Sequence, residues 1–163
     1  MKQTIVYHGG TELIAHPDCS LGRANLDFGR GFYVTALRQQ AVDWAMQVSR
    51  RRKKTPILNR YLLDKESILA EARCKIFKAY DREWLDFIVR SRQGLPVAAE
   101  YDYIEGGVAN DRVVDTVNLY MAGLMDASTA LRRLSEHKPN NQICLLSQEI
   151  TDKYLQFDDT EEI

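Results

Sequence analysis

Three polar residues stand where short apolar runs begin or end. His8 follows "TIVY", Tyr33 lies inside "GRGFYVT", and Gln142 opens "NQICLLS". A histidine offers a hydrogen bond and a proton near neutral pH, a tyrosine offers a stacking face, and a glutamine offers a carbonyl oxygen. Each has a plainer reading: a satisfied structural histidine, a packed strand tyrosine, a turn or edge glutamine. Arg23 and Arg30 each follow a glycine, in "LGR" and "FGR". A guanidinium beside permissive backbone suits bidentate contact with a pyrophosphate, against the alternative of an exposed loop arginine. In "GGVANDRV", Asn110 and Asp111 are placed to open a helix after two glycines. Such a start can aim backbone N–H groups at an anion or be an ordinary helix cap.

Other chemistries find no support. His8, His16 and His137 show no i, i+4 pairing and no cysteines at zinc spacing. Cys19, Cys74 and Cys144 form an odd, sparse set without a CxxC, which argues against a disulfide framework; Cys19 and Cys144 read as small apolar fillers. "GRANLDFGRG" lacks the G-x-G-x-x-G spacing of a dinucleotide fingerprint, and no nucleophile-elbow string supports a Ser–His–Asp hydrolase.

Local elements must hold these residues. "TIVYHG" reads as a first, central strand and "GFYVT" as a second. Thr35 is a candidate N-cap for a helix carrying Ala41, Trp44, Ala45 and Val48, running to about Arg52 and stopping before Pro56. "PILNRYLLD" alternates as a third strand. Asp81 is set to cap a helix with Trp84, Phe87 and Ile88 on its apolar stripe. "YDYIEGG" reads as a short strand or extended turn. Asn110 or Asp111 is set to cap a helix through Val113, Val117, Tyr120 and Leu124, with Gly123 near its end. Asp126 opens another with Ala130, Leu131 and Leu134. "NQICLLS" is a strand after the turn string "KPNN", "KYLQF" a candidate last strand, and the acidic end from Asp158 to Glu162 is expected to fray.

The elements do not alternate as βαβ units, so the expected fold class is α+β. With 163 residues, 45% apolar and 28% charged, the chain is expected to be a single domain over residues 1–163. A net charge of -1 gives no global pull toward nucleic acid or membrane. The run "RRRKK" from Arg50 to Lys54 is local: a solvated helix end, or a patch for RNA, DNA or an acidic partner. No aromatic lies inside it, so the sequence carries no base-stacking signal there. The opening run is too short for a signal peptide and no stretch approaches a membrane span, so a cytoplasmic location is expected.

"YHGG" and "GRGFYVT" resemble two elements of the diphtheria-toxin type of ADP-ribosyltransferase fold: a His-Gly ending the first strand and a Gly-x-Gly-Phe/Leu-Tyr starting the second. The strings "YHGGTELIAHPD", "DFGRGFYVTALRQQAVDWA", "YDYIEGGVANDRV" and "KPNNQICLLSQ" are similar to an uncharacterised bacterial family. Its members resemble these enzymes and often occur beside a small partner gene in toxin–antitoxin-like pairs. The resemblance implies a split β-sheet core and NAD as substrate. It implies His8, Tyr33 and Gln142 as the catalytic set, with Tyr7, Gly9, Arg23, Arg30, Gly31, Phe32, Asn110 and Asp111 contacting the dinucleotide. The acceptor would be a protein side chain or a nucleic-acid base, and the partner a small antitoxin. The fold's usual scheme has a late glutamate that offsets charge developing on the ribose. Gln142 occupies that place, and it orients a hydroxyl without supplying negative charge. Glu105, Asp111 and Glu149 are the acids left to supply it. The same residues also fit a non-catalytic module that binds NAD, ADP-ribose or a partner, or an enzyme that only hydrolyses NAD.

Overall fold

A computed structural model of the protein describes residues 3–23, 26–109 and 113–163. The arrangement is α+β, with two sheets that meet along a seam. Sheet one contains β1 (Thr4–Gly10), β3 (Ile57–Leu63) and β7 (Leu155–Glu162), antiparallel in the order β1-β3-β7. Sheet two is ordered β2-β6-β5-β4. It comprises β2 (Phe32–Val34), β6 (Gln142–Leu145), β5 (Tyr103–Gly106) and β4 (Cys74–Ile76), with β4 and β5 parallel. Tyr7 and Thr35 exchange backbone hydrogen bonds of 2.8 and 2.9 Å, joining β1 to the end of β2. β1 is therefore an edge of its own sheet rather than central, and its free side is where the sheets meet.

Apolar side chains from opposite faces of the second sheet fill two cores. Phe32, Val34, Tyr103, Ile143 and Leu145 join Val6, Tyr61 and Leu63 on one side. Cys144 and Ile104 join Phe28, Trp84, Ile88 and Val117 on the other. That split follows from two-residue alternation along each strand.

Helix α1 (Arg38–Arg52) buries Ala41, Ala45 and Val48 and ends where expected. Its N-cap is Leu37, not Thr35. The Thr35 hydroxyl instead accepts from Leu37 N at 3.1 Å, in the turn before the helix. At the other end Lys53 adopts a left-handed conformation, φ 55°, and returns its N–H to the Ser49 carbonyl. Asp81 and Asp126 cap α3 (Arg82–Arg92) and α5 (Ala127–Leu134) as their side chains predict, accepting from Trp84 N and Thr129 N at 2.9 and 2.7 Å. Helix α4 spans Val114–Met121; the expected cap residues Asn110 and Asp111 lie outside the described residues.

Three short elements were not expected: β4, α2 (Lys65–Glu71) and α6 (Gln148–Tyr154). Lys153 and Tyr154 close α6, so the last strand starts at Leu155, later than "KYLQF" suggests. The acidic end does not fray. It pairs with β3 as far as Glu162, with Arg60 Nε 2.6 Å from Asp158 and Arg38 2.5 Å from Glu161. Among the described residues no helix is long and apolar enough to cross a membrane.

Candidate functional site

The seam draws together the three chain segments singled out by their polar residues. β2 pairs with β6 so that Tyr33 faces Cys144, and β1 reaches β2 through Tyr7 and Thr35. His8 Nδ1 lies 2.7 Å from the Tyr33 carbonyl. A carbonyl only accepts, so this nitrogen carries the proton and Nε2 keeps its lone pair. The imidazole stacks on Phe32, centroids 4.5 Å apart. Burial lowers its pKa against the opposing pull of the carbonyl, favouring the neutral ring.

That shift has a sign in stability. A histidine held neutral in the fold takes up protons more readily when unfolded, so acid favours the unfolded chain. Stability is expected to fall as pH drops below the ordinary histidine value of about 6.5. His8→Phe should flatten that slope in melting curves taken between about pH 7.5 and 5.5, above the carboxylate range. An unchanged slope would mean the imidazole is free to protonate in place.

Alternation puts the Tyr33 side chain on the opposite face from Phe32 and His8, and on the same face as Gln142 and Cys144. The phenol donates to the Gly29 carbonyl at 2.5 Å and accepts from Phe28 N at 3.1 Å. Burial, first of all, raises its pKa far above the ordinary tyrosine value, so the hydroxyl stays protonated. Gln142 is buried, and its Nε2 points at the Gly107 carbonyl, 3.4 Å away, leaving its own carbonyl oxygen as an acceptor. The backbones thus converge, with the imidazole on one face and the phenol and carboxamide on the other.

Two glycines expected to admit a ligand have packing reasons of their own. A Cβ on Gly9 would lie 2.0 Å from the Ala41 carbonyl oxygen of α1. On Gly31 it would meet the Cys144 sulfur and the Leu145 carbonyl oxygen at 2.6 Å. Phe32 is buried under the imidazole, and Tyr7 is half-buried at the seam. Arg23 and Arg30 are exposed. Arg30 lines an open depression of about 400 Å³ with Asp18, Cys19, Ser20, Leu146 and Gln148, a lining without His8, Tyr33 or Gln142. Asn110 and Asp111 lie outside the described residues.

Glu149 belongs to the first turn of α6 and is exposed. Glu105 lies on β5 beside β6 and is heavily engaged. Its carboxylate sits 2.8 Å from Lys65 Nζ and accepts from the Tyr103 hydroxyl at 2.6 Å and from Asn141 Nδ2 at 3.0 Å. An acid already paired with a lysine and serving two donors is a strut, not a free negative charge.

Asn141 is the residue that the turn string "KPNN" concealed. Its Oδ1 accepts from Ala36 N at 2.9 Å, and its backbone carbonyl accepts from the Thr35 hydroxyl at 2.8 Å and from Gln40 Nε2 at 2.6 Å. It ties β2, α1 and β5 together immediately before Gln142. The loop leading to Tyr33 is anchored as firmly. Asp27 accepts from Arg92 Nε at 2.6 Å and from Ala109 N at 3.3 Å, and Ser91 donates to the Leu26 carbonyl. Neither anchor carries a motif; both depend on partners distant in the chain, 65 residues for Asp27 and Arg92, and 36 and 105 residues for Asn141 with Glu105 and Ala36.

Among the described residues no group of three or more His, Cys, Asp or Glu is placed to hold a metal ion. Burial pushes the thiols of Cys19 and Cys144 up, so neither is a ready thiolate.

A search of curated proteins returned no match. Residues 4–157 match the family described as "Protein of unknown function (DUF3990)". The match starts with β1, ends inside β7 and takes in the seam with His8, Tyr33 and Gln142, so this chain belongs to the DUF3990 family.

Proposed function

We propose that this protein is an NAD-dependent mono-ADP-ribosyltransferase-like enzyme with a split-sheet core of that fold type, acting as the toxin of a pair restrained by a small antitoxin. The observation that carries the reading is the convergence of three backbone segments at the seam, the His8 ring bonded to the Tyr33 carbonyl on a strand paired to the one that begins with Gln142. The imidazole lies on one face and the phenol and carboxamide on the other, so the dinucleotide has to reach both faces. In the reaction, the bond between nicotinamide and the ribose breaks, and its electron pair leaves with neutral nicotinamide. The anomeric carbon, oxocarbenium-like in the transition state, takes the acceptor nucleophile, which loses its proton.

His8 Nε2 accepts from a ribose hydroxyl. The Tyr33 ring supports the nicotinamide, and its fixed hydroxyl keeps the ring's orientation. The Gln142 carbonyl oxygen orients a hydroxyl without adding charge. The backbone at Gly9, Arg23 and Arg30 remain the contacts for the dinucleotide.

Incubation of the purified chain with NAD tests this. Free nicotinamide should appear, and His8→Ala and Tyr33→Ala should lower its rate by about a hundredfold, the scale of losing one positioned group. Overexpression should slow bacterial growth, with Tyr33→Ala relieving it. No release by the folded protein rejects the enzyme. Free ADP-ribose with no labelled macromolecule assigns simple hydrolysis instead.

One observation favours a second reading, a non-catalytic module for NAD or ADP-ribose. The late strand offers an amide where an acid would offset charge, and the neighbouring Glu105 is paired to Lys65. Thermal stabilisation by NAD without nicotinamide release is the result that selects it.

A further inference from the structure

The outer flank of α1 leads from the seam to side chains that the proposed site does not use. At 3.6 residues per turn, Gln40, Trp44, Gln47 and Arg51 fall within about 60° of arc, beside the buried stripe of Ala41, Ala45 and Val48. Gln40 sits at the seam end, bonded to Asn141 next to Gln142. Trp44 is 46% exposed, whereas the second tryptophan, Trp84, is fully buried. At the far end Arg50, Arg51, Arg52, Lys53 and Lys54 are all exposed. Among the described residues none of these five cations forms an ion pair. On a chain of net charge -1 this is a local concentration.

We propose that this flank binds single-stranded nucleic acid and, resting on the reading above, that the bound strand is the acceptor for ADP-ribose. Exposed cations without carboxylate partners attract phosphates and release their counterions. An exposed indole on the same helix flank is a platform for an unpaired base, which a duplex keeps within its stack. The sequence shows no aromatic inside the basic run, but the helix brings Trp44 onto the face of Arg51, one heptad away. From Gln40 to Arg51 the track measures about 16 Å, the reach of a few nucleotides, and it starts beside Gln142. An acidic protein would engage the cations but has no comparable use for the indole.

Because Trp84 is buried, quenching of tryptophan emission on ligand addition reports Trp44. The full chain, without NAD, is titrated with single-stranded RNA and DNA of about 12 nucleotides, with the matching duplex, and with polyglutamate. Expected are quenching by the single strands and affinity about tenfold lower at 200 mM than at 50 mM salt. The triple variant Arg50→Gln, Arg51→Gln, Arg52→Gln should bind about tenfold more weakly while melting normally. Trp44→Phe should abolish the quenching.

Four results overturn the proposal: no binding at low salt, quenching that survives Trp44→Phe, equal affinity for the duplex, or equal affinity for polyglutamate, the last assigning the patch to an acidic protein. Nicotinamide release that fails while strand binding persists removes the enzyme and not the binding surface. Release that persists while strand binding fails removes this proposal alone.

Discussion

Gly9→Ala is expected to lower stability by about 3 kcal/mol or more, and the melting temperature by roughly 10 °C, whereas Gly10→Ala should change stability by less than about 0.5 kcal/mol. The two glycines are neighbours in one strand and differ in what stands opposite. An alanine methyl at position 9 would come 2.0 Å from the Ala41 carbonyl oxygen and 3.0 Å from the Ala45 methyl, so α1 must lift off β1. At position 10 the nearest atom is His8 Nε2 at 3.8 Å, an ordinary contact. Paired melting curves of the two variants decide the matter. Equal, small losses would show that α1 yields easily, and the seam would then be a looser structure than its hydrogen bonds indicate.

Removing the Glu105 carboxylate is the other large perturbation. Glu105→Ala strands Lys65, the buried Tyr103 hydroxyl and the Asn141 amide together. Breaking a fully buried pair costs about 3–5 kcal/mol; with the Lys65 side chain 33% exposed, solvent recovers part of that, and about 2–3 kcal/mol is expected. Glu105→Gln should cost less, since an amide still accepts from Asn141 and Tyr103. Denaturant unfolding ranks the two. If the alanine variant is as stable as the glutamine variant, the strut contributes nothing to the fold, and Asn141 is held by Thr35, Ala36 and Gln40 alone.

What could be read from the chain alone was local. Asp81 and Asp126 announce their helices because a cap needs only residues three positions away. β2 and β6 are legible as β-branched and apolar runs. α2 and α6 also have side-chain caps, Asp64 and Ser147, but each is only seven residues long and too short to show a helical stripe. β4 offers three residues, Cys74, Lys75 and Ile76, and gains its identity from a parallel neighbour far along the chain. The acidic end looked like a tail because its charges were counted without Arg60 and Arg38, which lie opposite them. At the candidate site the singled-out residues were legible and their supports were not. Asn141, Asp27 and Arg92 are ordinary turn and helix residues until long-range contacts give them a task, and the glycines that read as room for a ligand also make room for a helix or a strand.

β7 closes the first sheet with an open edge. A naked strand of eight residues is a template on which other chains can grow, the usual start of edge-to-edge aggregation. Here Asp158, Asp159, Glu161 and Glu162 crowd that border, so two copies approaching along it would meet with like charge. The carboxylates that make the end of this chain look disposable also act as its guard against self-templating.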